Sequence, residues 1–110
     1  MSITSDLIRG HTETIILAYL AERDSYGYEI NKKIQEETDR RYELKEATLY
    51  SAFRRLEESG CIESYWGNQQ TGARRRYYRI TPAGAALYRK NLADWKEAQS
   101  LINKLVSTKN

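Results

Sequence analysis

The chain is poor in the side chains that perform chemistry. Of its 110 residues, one is cysteine, one histidine, one proline, one methionine and one phenylalanine. With Cys61 alone an intramolecular disulfide is impossible, and a reducing cytoplasm is the expected home. A zinc site needs several Cys or His ligands at close spacing, and these are absent, so no metal and no cofactor is expected. His11 reads as a partly buried structural residue and Cys61 as a small core residue. Gly67 and Gly72 are not followed by Gly-Lys-Ser or Gly-Lys-Thr, which excludes a phosphate loop. No apolar run approaches the ~20 residues of a membrane span. Met1–Arg9 contains Asp6 and has no apolar centre, so no secretory signal is expected. These absences point away from an enzyme and from a membrane protein. They leave one soluble domain with one small core.

What is present is concentrated between Lys45 and Gly84. Leu49, Phe53 and Leu56 recur at helical spacing, with Ala52 beside them. The opposite face carries Ala47, Ser51 and Arg54, flanked by Tyr50 and Arg55. Gly60 is placed to close this helix in the left-handed conformation. Two strand-like runs follow, Cys61–Trp66 and Arg74–Ile80, joined by turn formers from Gly67 to Ala73. The net charge is only +3, but Arg74, Arg75, Arg76 and Arg79 fall in one hairpin arm. A local basic patch on a mildly charged body suits a DNA reader. A helix followed by a hairpin with a basic returning strand is the layout of a winged helix.

The flanking segments read as its support. Ile3–Glu22 predicts one helix, with Ile8, Thr12, Ile15, Ile16, Tyr19 and Leu20 as its stripe and Thr4 or Ser5 as its cap. Gly10 is costly inside such a helix, which a close approach by another helix or a ligand would explain. A second helix starts near Tyr26, capped by Ser25, and runs to about Thr38 with Ile30 and Ile34 on the core. Tyr42 and Leu44 alternate and suggest a short strand. Thr81-Pro82 is a strong helix start, and the last helix is expected to reach Ser107. Its Tyr88, Leu92, Trp95, Gln99, Ile102 and Val106 form one stripe, and Leu87, Asn91, Ala98, Leu101 and Leu105 an adjacent one. So small a domain cannot cover both, so a homodimer is expected.

The ordered set SYGYEI, TLYSAFRRLEESGCI and RRRYYRITPAG resembles the PadR family of bacterial transcriptional regulators, over nearly the whole chain. The length, the YWG entering the wing and the Trp of the last helix are most similar to its small multidrug-sensing members. The resemblance implies a mostly α fold with a small β-hairpin. Residues 1–80 would form a winged helix-turn-helix DNA-binding domain, its first helix also in dimer contact, and residues 81–110 a dimerisation helix of the same structural unit. It also implies a cytoplasmic repressor that binds an inverted-repeat operator in double-stranded DNA. Thr48, Tyr50 and Ser51 are then candidates for groove or backbone contact, through the match at TLY. Arg54 or Arg55 would read a guanine edge or clamp phosphate, and Arg74, Arg75 and Arg76 would touch phosphate. A planar aromatic or drug-like molecule would stack on Trp95 at the dimer centre, lined by Leu7, Gly10, Thr14, Leu92, Ala98 and Gln99. A multidrug-sensing member of the family carries an acidic residue one turn after this Trp, where this chain has Gln99, so a preference for cations is not implied. Other readings stay open. Trp95 packs a dimer core in either case. The winged helix could serve protein interaction, or the regulator could lack a small-molecule effector.

Overall fold

The computed structural model describes residues 3–67 and 74–107. Along them run α1 (Ile3–Arg9), α2 (Thr12–Glu22), α3 (Gly27–Glu37), α4 (Glu46–Glu58), β1 (Ile62–Trp66), β2 (Arg76–Ile80) and α5 (Pro82–Ser107). The strands pair antiparallel, with Ile62 opposite Ile80 and Tyr65 opposite Tyr77. The fold is mostly helical with one hairpin, as expected.

The apolar stripes meet in one core. Ile16, Leu17 and Leu20 of α2, Ile30 and Ile34 of α3, and Leu49, Ala52, Phe53 and Leu56 of α4 are buried together. Leu44, Cys61, Ile62 and Tyr78 complete the cluster. The Tyr78 ring stacks on Phe53 with centroids 3.9 Å apart, which seals the hairpin against α4. Removing a ring as buried as that of Phe53 typically costs about 3–5 kcal/mol.

Two helix ends fix where the hairpin and the reading helix begin. Gly60 has φ +77, its N–H reaches the Glu57 carbonyl, and the Cys61 N–H reaches Leu56. This is a Schellman closure of α4, which glycine permits at no steric cost. The end of α3 has the same bonding with non-glycine residues. Asp39 donates to Glu36 and Arg40 to Gln35, at φ 53 and φ 63. Asn31 then grips the linker, since its amide donates to the Leu44 carbonyl and accepts from the Leu44 N–H, both at 2.8 Å. Thr81 caps α5 by accepting the Gly84 N–H at 3.1 Å, and its own hydroxyl donates to the Gly60 carbonyl at 2.7 Å.

Several expectations need correction. The first helix is two helices, divided at Gly10–His11. The Thr12 hydroxyl donates to the Arg9 carbonyl at 2.8 Å and Thr12 is buried, so it anchors the turn. Gly10 therefore marks a break. Among the described residues, a β-carbon there would meet only the Leu7 carbonyl, at 3.8 Å. Ser25 does not cap α3. It pairs by its backbone with Tyr78, and its hydroxyl donates to the Glu29 carboxylate. Tyr42 and Leu44 form no strand, because the Asn31 amide takes up both backbone groups of Leu44. Strand pairing starts at Ile62 and Arg76, inside the expected limits. The wing tip Asn68–Ala73 lies outside the described residues, as do the side chains of Thr4 and Ser5.

Only the start of α5 belongs to the core. Gly84 is buried, and Leu87 and Tyr88 pack against the cluster. From Ala93 to Ser107 every residue is exposed. The radius of gyration is 15.9 Å, against about 13 Å for a compact chain of this length. The overhang of α5 accounts for the excess.

Candidate nucleic-acid interface and the adjoining groove

The outer face of α4 follows from the burial of its inner one. With Leu49, Ala52, Phe53 and Leu56 inside, Tyr50, Arg54 and Arg55 are exposed and Thr48 and Ser51 half-buried. Tyr50 is 42% exposed and packs edge-on against Phe53, with centroids 5.6 Å apart. Its hydroxyl lies at the start of α3, 2.8 Å from where a β-carbon on Gly27 would sit. Arg54 has no hydrogen bond or ion pair among the described residues. Arg55 differs. Its Nε donates to Glu13 Oε2 at 2.7 Å, and its Nη1 donates to Ser51 Oγ at 2.9 Å.

On the wing, cations alternate with rings. The Arg74 guanidinium lies 5.2 Å from the Trp66 ring centre, Arg75 4.8 Å from Tyr26, and Arg79 5.1 Å from Tyr65. Such contacts hold a charge in place while leaving its N–H groups to other acceptors. Tyr65 and Tyr77 stack across the strands, and the Tyr65 hydroxyl donates to Asp24. That hydrogen bond, with burial, raises the Tyr65 phenol above its ordinary value. Arg76 is the most committed of the four. It ion-pairs with Glu57 at 3.3 Å and donates to Ser64 Oγ at 2.9 Å.

A groove of 490 Å³ runs between the first two helices and α5. It is lined by Leu7, Thr14, Trp95 and Gln99, together with Ile8, His11, Ile15, Ile102 and Asn103. The His11 ring meets the Trp95 indole edge-on at 5.0 Å. Of the residues expected at this site, Gly10 lies in a neighbouring hollow with Glu13, Arg55 and Asn91. Leu92 and Ala98 do not line the groove. Its wall carries no carboxylate. His11, Ile15 and Ile102 were legible only as packing. Their spacing to Leu7, Thr14 and Trp95 was the available signal. Among the described residues there is no cluster of acids, His or Cys that could hold a metal, and no helix able to cross a membrane.

A family model described as the transcriptional regulator PadR-like family matches residues 16–90, more than half of the chain. The chain belongs to the PadR-like family of transcriptional regulators. Solved structures agree. A transcriptional regulator from Clostridium thermocellum is 52% identical, superposes with a TM-score of 0.86, and is covered to 99% by 96% of this chain. A PadR family transcription regulator from Clostridium difficile is 34% identical with a TM-score of 0.77, over 87% of this chain and 98% of that one. An uncharacterised protein from Lysinibacillus sphaericus is 44% identical over 101 residues, 92% of this chain and 93% of its own length. This PadR-like chain is thus a DNA-binding transcriptional regulator of winged-helix fold and not an enzyme. Its matched segment runs from α2 to the first turns of α5 and so contains α4 and the hairpin.

Proposed function

We propose that this PadR-like regulator is a homodimeric repressor, released from its operator by a planar, largely apolar aromatic ligand. Residues 1–80 act as the DNA-binding unit and residues 81–110 as the dimerisation helix of the same body. Thr48, Tyr50, Ser51 and Arg54 of α4 meet the major groove, and Arg74 and Arg75 meet flanking phosphates, with Arg76 beside them paired to Glu57. Leu7, Thr14, Trp95 and Gln99 contribute the ligand wall.

The observation that carries the dimer is α5. Trp95, Leu101, Ile102, Leu105 and Val106 are 42–65% exposed on a helix that overhangs the core. Apolar surface of that extent favours association. The groove beside Trp95 continues along the same helix to Ile102, so a partner across it would close a flat, apolar slot. Two indoles facing across a two-fold axis favour offset stacking of a planar guest. With Gln99 and no carboxylate in the wall, neutral guests are expected to bind as well as cations. Ligand and DNA then compete through dimer geometry, since only differential affinity shifts a population.

Selection of duplexes from a randomised pool tests this reading. A two-fold dimer is expected to enrich an inverted repeat with half-sites about one helical turn, ~34 Å, apart. Enrichment of a single unrepeated site, or of nothing, would contradict it.

A further inference from the structure

The outer face of α4 contains a three-membered chain of polar contacts that leads to α2. Glu13 of α2 accepts from Arg55 Nε at 2.7 Å, and Arg55 Nη1 donates to Ser51 Oγ at 2.9 Å. We infer that Arg55 serves DNA recognition as a positioning residue, acting through Glu13, and does not itself contact DNA. The inference rests on the DNA-binding reading above and concerns how that surface is built.

Three observations converge. The guanidinium is engaged at both ends, by a carboxylate on a different helix and by a hydroxyl one turn back. Turning it toward a phosphate would leave Glu13 unpaired beside a polyanion. Next, Ser51 uses its oxygen to accept from Arg55, so its single O–H remains available to donate outward. Arg55 thereby sets the direction of a candidate contact. Finally, α4 is tied by ion pairs on two sides, Arg55 to Glu13 on α2 and Glu57 to Arg76 on the wing. Glu13 adjoins Thr14, which lines the groove, and Glu13 and Thr14 both face the hollow that holds Arg55. The pair is therefore the polar link between the groove-lining helix and the reading helix.

The sign of one substitution separates this from ordinary charge effects. Removing an acid from a DNA-binding protein tightens binding through the long-range field. If Glu13 positions Arg55, Glu13→Ala instead weakens binding to the preferred sequence. The experiment measures full-length protein against two probes, the duplex that wild type enriches from a randomised pool and a random duplex of equal length. Glu13→Ala and Arg55→Ala are each expected to lose about three- to tenfold on the enriched duplex. On the random duplex Glu13→Ala should lose nothing, and Arg55→Ala should lose less than on the enriched one, only the uniform effect of a removed charge. The double variant should be no worse than Arg55→Ala. The slope of log affinity against log salt should match that of wild type. Glu13→Gln, whose amide oxygen can still accept from Arg55 Nε, should keep most of the preference.

The competing result is distinct. A phosphate contact by Arg55 would make Arg55→Ala weaken both duplexes alike and reduce the salt slope by about 2, one phosphate in each protomer. Glu13→Ala would then tighten both, and Glu13→Gln would do the same. That set of results overturns the inference. Glu13→Gln, which keeps a hydrogen-bond acceptor without the charge, supplies a milder variant, and thermal melts confirm that each protein is folded. If wild type enriches no duplex, the DNA reading falls and this inference with it. If wild type enriches one and Glu13→Ala fails to weaken binding to it, this inference alone falls.

Discussion

Gly84→Ala is a one-carbon change with a large expected effect. Gly84 is buried in the first turns of α5, where the helix passes the Cys61 backbone and Ile80. A β-carbon there would lie 2.0 Å from the Cys61 carbonyl oxygen and 2.9 Å from Ile80 Cγ1. Ordinary contact needs about 3.5 Å, so α5 or the Cys61 backbone must retreat by over ~1 Å. The Cys61 carbonyl also accepts the Thr81 N–H at 3.0 Å, and Thr81 caps α5 through the Gly84 N–H. Movement strains both bonds. Overpacking costs about 1–3 kcal/mol, and a weakened cap adds about 1. Ala regains about 1 kcal/mol in helix propensity. The net is a loss of about 2 kcal/mol, or roughly 8–16 °C in Tm for a domain near this size. Thermal unfolding by circular dichroism at one fixed protomer concentration measures it, since association would shift Tm with concentration. A Tm equal to or above that of wild type would refute the reasoning, and would mean that α5 does not rest on the Cys61 carbonyl.

Other expectations concern association, the groove and pH. Wild type should sediment as a dimer at micromolar concentration, and Leu101→Glu with Leu105→Glu as a monomer; a monomeric wild type would sink the dimer. Trp66→Phe leaves Trp95 as the only indole, and planar dyes should quench its emission saturably with one ligand per dimer. Absence of quenching up to hundreds of micromolar would make Trp95 purely structural. Tyr19 and Tyr65 are expected to steepen alkaline unfolding. Burial and a hydrogen bond to Glu37 raise the Tyr19 phenol, and the bond to Asp24 raises that of Tyr65. Raised values favour the protonated phenols of the fold, so their stabilisation is complete below the unfolded value near ~10 and is lost as pH climbs through the higher folded values. Urea midpoints between pH 9 and 11.5 should fall less in the Tyr19→Phe, Tyr65→Phe double variant; an equal fall would contradict this.

Periodicity carried the fold where one face is buried. Leu49, Phe53 and Leu56 could only be the inside of α4, and Thr81-Pro82 could only start a helix. Gly60 identified a helix end because left-handed backbone favours glycine. The end of α3 carries no such mark, since Asp39 and Arg40 take that conformation without being glycine. The break at Gly10–His11 was hidden because Ile8, Ile15 and Ile16 keep helical spacing across it. At the candidate site, residue type was readable and engagement was not. Nothing in the order of residues 51–55 says that Arg55 reaches Glu13, 42 positions away, while Arg54 beside it does not. The same holds for His11, whose contact with Trp95 depends on how α2 and α5 cross. Long-range pairing of this kind is decided by packing after the elements form.

The hairpin arginines give the most direct test of DNA recognition by the wing. Binding of wild type to its enriched inverted repeat is measured from 50 to 300 mM salt, beside a variant with Arg74, Arg75 and Arg76 all replaced by Ala. Each phosphate neutralised contributes about 0.9 to the slope of log affinity against log salt. Arg76 is held by Glu57, whereas Arg74 and Arg75 rest on rings that leave their N–H groups available. The triple variant is therefore expected to bind more weakly on every sequence and, with Arg74 and Arg75 lost from both protomers, to lose at least about 3.6 from the slope. An affinity and a slope both equal to those of wild type would contradict phosphate contact by the wing.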